Sequence, residues 1–447
     1  MVTRGQWATR MGFILACAGS AVGLGNIWKF PYVAGMNGGG LFVLIYVLCV
    51  LFVGIPIMIS EFAVGRASQL SPVDAFRSLT SRTSPWQSVG WLGVLSGFVI
   101  LSYYSVVAGW TMHYLALAVN GFGDLGDPRQ IAGLFDQLNA SAPLNLFWHF
   151  VFMALTVGIV IAGVKGGIER ASRIIMPLLF IMLVILLVRN AFLPGFGKAF
   201  SFVFSPNLSE LTPSGALQAM GQAFFSLSLG MGAMLTYGSY LGSETDLPRS
   251  ALLVSLMDTG VALLASMMIF PILFTYGMSP QAGTGLVFKS MPIVFAQLPA
   301  GDLFAIVFFL LLAFAALSSG ISLLEVVVAF FIDTLGWKRI PATLLVGAAI
   351  FAFGSLSALS GSTLAELRVL PEKNFFDSMD YLASNWFLPI GGMFIALFVG
   401  FRMNPEQVKR EFRQSSILAF VFVPWLYCLR FVCPLAVAAV FLYGVLK

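Results

Sequence analysis

Gly19-Ser20-Ala21-Val22-Gly23-Leu24-Gly25-Asn26 lies inside an apolar segment that should be a membrane helix, yet it carries three glycines and closes on an asparagine. Glycine costs roughly 1 kcal/mol relative to alanine in a helix interior, so the spacing predicts a break. A second break is expected at Ser226-Leu227-Ser228-Leu229-Gly230-Met231-Gly232. Unwound backbone at membrane depth is tolerated only where it is buried in protein or lines a cavity. Two such breaks therefore predict a polar site near the bilayer midplane, the plan of a secondary transporter. Its chemistry would be binding: freed carbonyls suit hard cations, which want oxygen ligands. The N–H groups and partial positive charge of a half-helix amino terminus suit a carboxylate, expected at Leu24 to Asn26. Ala315-Ala316-Leu317-Ser318-Ser319 adds two hydroxyls on an apolar helix. These either bond back to the preceding turn or, beside two helix breaks, serve as cation ligands.

The elements that must position these groups are membrane spans. Of 447 residues, 59% are hydrophobic and only 10% charged, where a soluble domain carries about 25% charged residues. A hydrocarbon core about 30 Å thick needs spans of about 20 residues. They are expected at 10–35, 40–65, 88–119, 145–164, 172–193, 215–240, 250–277, 301–333, 340–358, 380–401 and 417–444. The net charge of +5 reads as loop bias in a multi-pass chain, because the basic residues are spread among loops and do not cluster as a nucleic-acid surface would. The richer basic side includes Arg4, Arg10, Arg66, Arg77 and Arg82, which puts the amino terminus in the cytoplasm and, with eleven spans, the carboxyl terminus outside. Met1 to Thr9 is polar and no cleavable signal is expected. Cys17, Cys49, Cys428 and Cys433 all fall in apolar spans without zinc spacing and read as buried thiols.

Spans one and six are the two interrupted ones. This suggests a single transporter domain, 1–447, made of two five-span halves of opposite orientation (about 1–193 and 215–401), with an appended eleventh span (about 417–444). At these residues the chain resembles the neurotransmitter:sodium symporter family. The resemblance rests on Trp7-Ala8-Thr9-Arg10, Gly19 through Asn26 with Trp28-Lys29-Phe30-Pro31, Asn37-Gly38-Gly39-Gly40, and Gly54-Ile55-Pro56 with Glu61 and Gly65-Arg66. It covers about the first 400 residues. It implies an all-α polytopic membrane protein with the leucine-transporter fold, one of the folds from which the rule of broken helices at a midplane site is drawn. Within the family, Gly230-Met231-Gly232 and the span count look most like the prokaryotic multi-hydrophobic-substrate amino-acid transporters, which implies a prokaryotic plasma membrane.

The resemblance also implies a site. One sodium ion is expected at the Ala21 carbonyl, Asn26, Ser226 and Asp258, completed by the substrate carboxylate. A second is expected at the carbonyls of Gly19, Val22 and Ala315 and the hydroxyls of Ser318 and Ser319. The free L-amino acid would place its carboxylate on Gly23, Leu24, Gly25 and Asn26 with the Tyr104 hydroxyl, and its amino group on carbonyls of Ala21, Phe225 and Ser228. Ile100, Phe225, Met231, Ser319, Gly320 and Leu323 would surround its side chain. This wall is mostly apolar and adaptable, so large hydrophobic or aromatic side chains are expected. Lys29 and Asp380 resemble an outer charged gate, over which Phe225 and Tyr104 would close. Arg4 and Asp333, with Ser239, Tyr240 and the Trp7 plug, resemble the inner latch. Gly167 and Pro177 match a motif for unwinding the start of span five. Glu61 and Glu325 are buried carboxylates by position, read either as caps for broken backbone or as functional acids. Asp258 stands where some relatives have asparagine, and Ala262 stands where chloride-dependent animal members have serine. With Tyr46, Gln222 and Ser226 around it, this pattern leads to an expectation of chloride independence, with proton antiport through Asp258 as a further possibility.

Other classes fit less well. An enzyme would need a nucleophile–base pair or a metal set, but the only histidines, His113 and His149, lie in separate spans without an HExxH partner. A channel would favour a continuous polar stripe over two interrupted helices.

Overall fold

The computed structural model describes residues 5–122, 128–210, 212–280 and 285–446. Among them the chain is a helical bundle with one small hairpin, Arg368–Leu370 (β1) against Lys373–Asn374 (β2). The first span is bent: Arg10–Ala21 (α1) and Gly25–Met36 (α2) differ in direction by 46°. Then come Gly40–Ser68 (α3), Pro72–Leu79 (α4), Gln87–Asn120 (α5), Pro128–Ala140 (α6), Ala142–Ile161 (α7), Val164–Ala191 (α8) and Phe196–Phe204 (α9). The second half holds Pro213–Ser226 (α10), Ala233–Gly238 (α11), Leu247–Thr275 (α12), Leu286–Gln297 (α13), Gly301–Leu335 (α14), Arg339–Ala358 (α15), Phe375–Arg402 (α16), Pro405–Arg413 (α17) and Ala419–Ala439 (α18).

Among the described residues nine helices are long and apolar enough to cross a bilayer, and the bent pair α1–α2 makes ten. The segment expected as a further span at 215–240 is divided into α10 and α11, of 14 and 6 residues. The outward stripe Ile174, Leu178, Ile181, Ile185 and Val188 of α8 is exposed at helical spacing, which suits a surface facing lipid. The short helices α4, α6, α9, α13 and α17 and the hairpin lie between spans and were not expected from the hydropathy pattern.

Both interrupted helices start in the same way. Thr9 accepts the Gly12 N–H at 3.0 Å, and Thr212 accepts the Gly215 N–H at 3.0 Å, each satisfying one of the free donors of a helix start. They break differently. After α1, Val22 turns to extended backbone (ψ 92°). After α10, Ser228, Gly230 and Gly232 take positive φ of 53°, 76° and 76°, which only glycine adopts without cost. The longest helices, α5 and α14, pack beside these breaks. Gly97 brings α5 against the Leu323 carbonyl, and Trp91 meets Phe330 at a ring distance of 4.7 Å.

Gly230 has two reasons to be glycine: its positive φ, and a Cβ position that would collide with the Leu388 carbonyl of α16. Gly230→Ala is therefore expected to cost about 1–3 kcal/mol and to lower the thermal unfolding midpoint in detergent. Gly166→Ala, with open space around the added methyl, should leave it nearly unchanged.

Candidate functional site

The first break leaves backbone groups without helical partners, and neighbouring helices supply them. Leu24 N–H donates to the Tyr104 hydroxyl of α5 at 3.3 Å, and Gly23 N–H to Asn26 Oδ1 at 3.2 Å. The Gly25 carbonyl accepts from Gln222 Nε2 of α10 at 2.7 Å. The Ser20 carbonyl accepts from Ser228 Oγ at 2.8 Å and Ser319 Oγ at 3.0 Å. At the second break, Glu61 of α3 takes Gly230 N–H on Oε1 at 2.7 Å and Leu235 N–H on Oε2 at 3.2 Å. Of the two readings open for Glu61, its geometry is that of a cap, and an anion suits the amino end of α11.

Asp258 of α12 is fully buried and collects the polar side chains of both breaks. Asn26 Nδ2 donates to Oδ1 at 2.7 Å, while Tyr46 Oη at 2.9 Å and Ser226 Oγ at 3.1 Å donate to Oδ2. All three are neutral, and among the described residues no lysine, arginine or histidine pairs with Asp258. Buried charges are paired or coordinate a metal ion, so this oxygen-rich set fits a small hard cation. Asn26, Ser226 and Asp258, with the carbonyl of Ala21, could hold one. Around the other expected position, Ser318 Oγ bonds back to the Ala315 carbonyl at 3.0 Å, while Ser319 Oγ reaches across to α1. A cation there would draw on the carbonyls of Gly19, Val22 and Ala315 and on these hydroxyls.

The cavity between the breaks is lined by Ala21, Gly23, Gly25, Ile100, Tyr104, Phe225, Ser226, Ser228, Met231, Ser319 and Leu323, with Ser20 in addition. Its free volume is about 20 Å³, room for little more than one water, so an amino acid can enter only if the walls move. Tyr104 and Phe225 also line an outer cavity of about 80 Å³ with Leu24, Trp28, Lys29 and Asp380; these two rings form the partition. Leu24 thus turns its side chain outward while its N–H faces Tyr104. Gly320 is placed differently from the expectation. Its open face meets Phe152 and Thr156 of α7, so its small size accommodates the α7 packing and does not widen the cavity.

Above the partition, Lys29 Nζ lies 3.3 Å from Asp380 Oδ1, 3.3 Å from Ser384 Oγ and 4.8 Å from the Phe225 ring centre. On the opposite side, the Trp7 indole N–H donates to the Tyr237 carbonyl at 3.0 Å, and its ring meets those of Tyr237 and Tyr240. Arg4 lies outside the described residues. Asp333 accepts the Ser71 N–H at 2.8 Å, and Ser239 Oγ bonds back to the Thr236 carbonyl. The Tyr240 hydroxyl donates to Glu325 at 2.6 Å. Gly167 lies in a widened turn, Val164–Glu169, at the start of α8, and Pro177 lies inside the continuous helix that follows.

Several residues of this end were missed from sequence. Arg339 grips Glu325 through both guanidinium Nη atoms, at 2.8 and 2.7 Å, and also donates to the Val160 carbonyl at the end of α7. Glu325 is therefore the buried half of an ion pair whose arginine is partly exposed, and not a backbone cap. Glu169 accepts the Ala8 N–H at 2.7 Å, the Thr9 hydroxyl and Arg173, anchoring the chain just before α1. Only the Glu169–Arg173 spacing of four residues hinted at this.

A buried acid, neutral donors around it, and two opened helices under closed gates define a membrane carrier for a small solute and a cation. The chain belongs to the sodium:neurotransmitter symporter family, whose profile matches residues 4–122 and 129–447. It is a sodium-dependent multi-pass membrane transporter of the leucine-transporter fold, not an enzyme. It is 41% identical to the sodium-dependent transporter YhdH of Bacillus subtilis over 98% of this chain and 97% of that one. It is 36% identical to a sodium-dependent transporter of Haemophilus influenzae, with 98% of each covered. The structure resembles the crystal structure of MhsT in complex with L-phenylalanine, with a TM-score of 0.90 and 44% identity over 98% and 99% of the two chains. The sodium- and chloride-dependent GABA transporter 2 of Bos taurus is 25% identical over 99% of this chain and 80% of that one.

Removing one partner of a fully buried ion pair costs about 3–5 kcal/mol, because the other charge is left behind; here the cost is largest when Arg339 is removed, since the charge left is the buried Glu325. Glu325→Gln or Arg339→Met alone should thus lower the unfolding midpoint more than the double substitution does, as read by tryptophan fluorescence on heating. Strict additivity would contradict the coupling.

Proposed function

We propose that the chain imports L-amino acids with large hydrophobic or aromatic side chains together with sodium, by alternating access and without a need for chloride. The observation that carries this reading is Asp258, a buried carboxylate with neutral donors and no basic partner among the described residues, beside two opened helices. The L-phenylalanine of the MhsT complex supports the substrate class, as do the apolar walls Ile100, Phe225, Met231 and Leu323. The carboxylate end would meet Gly23, Gly25 and the Tyr104 hydroxyl. Closure of Phe225 and Tyr104 below Lys29–Asp380 would exclude water, and release would require the Trp7 plug to leave Tyr237 and Tyr240. Two sodium ions are proposed, one at each oxygen set. The proposed location is a prokaryotic plasma membrane, with the amino terminus cytoplasmic and the carboxyl terminus outside.

Chloride independence follows from charge. A fixed carboxylate a few ångströms from a cation interacts by several kcal/mol at the effective dielectric of a protein site, so no mobile anion is needed. The family resemblance implies that the chloride-dependent animal members surround the site with hydroxyl and amide groups, and the bovine relative is named as sodium- and chloride-dependent. Tyr46, Gln222 and Ser226 match that cage here, with Ala262 in place of a serine. On the empty return Asp258 would take up a proton, giving proton antiport.

Three outcomes test this reading. Thermal-shift binding of phenylalanine, tryptophan or leucine should need sodium, and Asn26→Ala should weaken it roughly tenfold through linkage; full-strength binding in potassium overturns the proposal. Gly23→Ala would press a methyl against Ser319 Oγ and Tyr104 Oη and should abolish substrate binding while leaving the fold intact. Uptake should be unchanged when gluconate replaces chloride, and Asp258→Asn with Ala262→Ser should gain chloride dependence. Chloride-stimulated uptake by the unaltered protein would count against the charge argument.

A further inference from the structure

Cys428 and Cys433 share one face of α18, although they are five positions apart. The cause is a widened turn, Cys428–Val432, in which the Cys433 N–H bonds the Cys428 carbonyl. Neighbours along one face of an ordinary helix are three or four positions apart; winding of the i→i+5 kind makes the spacing five. Both thiols meet the same backbone oxygen. Cys428 Sγ lies 2.9 Å and Cys433 Sγ 3.5 Å from the Phe52 carbonyl of α3, and Cys433 Sγ is also 3.9 Å from the Val53 carbonyl. The two side chains are within hydrogen-bonding reach of each other.

The backbone of α3 explains why the thiols gather there. In a regular helix the Phe52 carbonyl pairs with the N–H of residue 56, and Pro56 has none. The span interior offers no water, so the S–H groups donate to that oxygen. Trp425 Nε1, which donates to the Pro56 carbonyl at 3.2 Å, fixes the same register of α18 on α3. All four cysteines are expected from sequence to be buried; Cys433 is, but Cys428 is partly exposed, so the pair can be reached from the surrounding lipid.

A disulfide fits this pair poorly. Cβ atoms one turn apart on a helix are about 5–6 Å from each other, and a disulfide needs about 3.5–4.5 Å. A bridging atom fills the gap. Zinc asks for four ligands, and among the described residues no third Cys, His, Asp or Glu joins the pair. The two cysteines flank the middle of α18, where a net charge is costly, so the bridge must leave the site neutral. We propose that Cys428 and Cys433 form a dithiol site for a neutral, thiol-seeking compound of trivalent arsenic. With an arsenic oxide R–As=O, each thiol gives up its proton, two As–S bonds form, the As=O bond breaks and one water leaves. Arsenic stays trivalent and no charge is created. The bridge also takes both S–H groups away from the Phe52 carbonyl.

The test applies phenylarsine oxide to the purified full-length protein in detergent and reads the intact mass after a wash with a monothiol. One phenylarsenic group per chain should remain, and 2,3-dimercaptopropanol, itself a dithiol, should strip it. Cys428→Ser and Cys433→Ser, which keep a donor for the Phe52 carbonyl, should each lower retention roughly a hundredfold, because the second bond is the intramolecular one. Retention in either variant equal to that of the unaltered chain would overturn the proposal, as would the absence of a retained group on the folded chain. Alkylation of the denatured adduct gives a second readout that needs no variant: Cys17 and Cys49 should be labelled, and Cys428 and Cys433 protected. Protection of Cys17 or Cys49 instead would place the arsenic elsewhere and overturn the assignment.

Discussion

The constraint on which this structure depends is that peptide groups released from a helix inside a membrane have no water to turn to. Each unsatisfied group there costs several kcal/mol. Two helices are nevertheless opened, and the groups they release find partners on different elements: Tyr104 for Leu24, Gln222 for Gly25, Ser228 and Ser319 for Ser20, and Glu61 for Gly230 and Leu235. The breaks are consequently held by α3, α5, α10 and α14 together. A shift of any of these helices changes which backbone groups are satisfied.

That arrangement couples binding to movement. The hydroxyls of Tyr104, Ser228 and Ser319 that satisfy the first break also line the cavity, so a ligand there competes with bonds that hold helix positions. Ser319 illustrates this: its hydroxyl faces the cavity and also bonds the Ser20 carbonyl of α1. With about 20 Å³ free, the cavity must widen to take a solute, and the partition rings Tyr104 and Phe225 belong to helices tied to the first break. The outer pair Lys29–Asp380 and the inner packing of Trp7 on Tyr237 and Tyr240 close the two ends by different physics. The first is a charge contact at a partly wet surface, and the second is aromatic packing with a single indole hydrogen bond.

The inner end is built more heavily than the outer one. Arg339 at the start of α15 joins the end of α7 to Glu325 inside α14, and Tyr240 just after α11 donates to the same carboxylate, while Glu169 holds the chain that leads into α1. Such pairs fix geometry more than they add stability, since desolvation offsets most of the attraction. Opening that end would therefore move several helix ends as a set.

Much of this was legible in the sequence, for a local reason. Glycine and serine in an apolar run report backbone that cannot stay helical, so both breaks could be read from Gly19–Asn26 and Ser226–Gly232, and an acid such as Asp258 in a span reports function because burial of charge is costly. Apolar length likewise marked ten of the eleven expected spans. Partners at great sequence distance were not legible. Nothing local joins Arg339 to Glu325 and Val160, or Glu169 to Ala8, because a hydrogen bond between helices depends on packing angle and register. Gly320 shows the same limit: its size was evident from sequence, but only the rotation of α14 against α7 decided that its open face meets Phe152 and not the cavity. Composition and breaking residues determined that this is a membrane carrier with an opened midplane, since those are properties of single segments in a solvent without water. The tertiary structure alone decided which helices close the cavity and which charges hold its inner end, since those are properties of how segments pack.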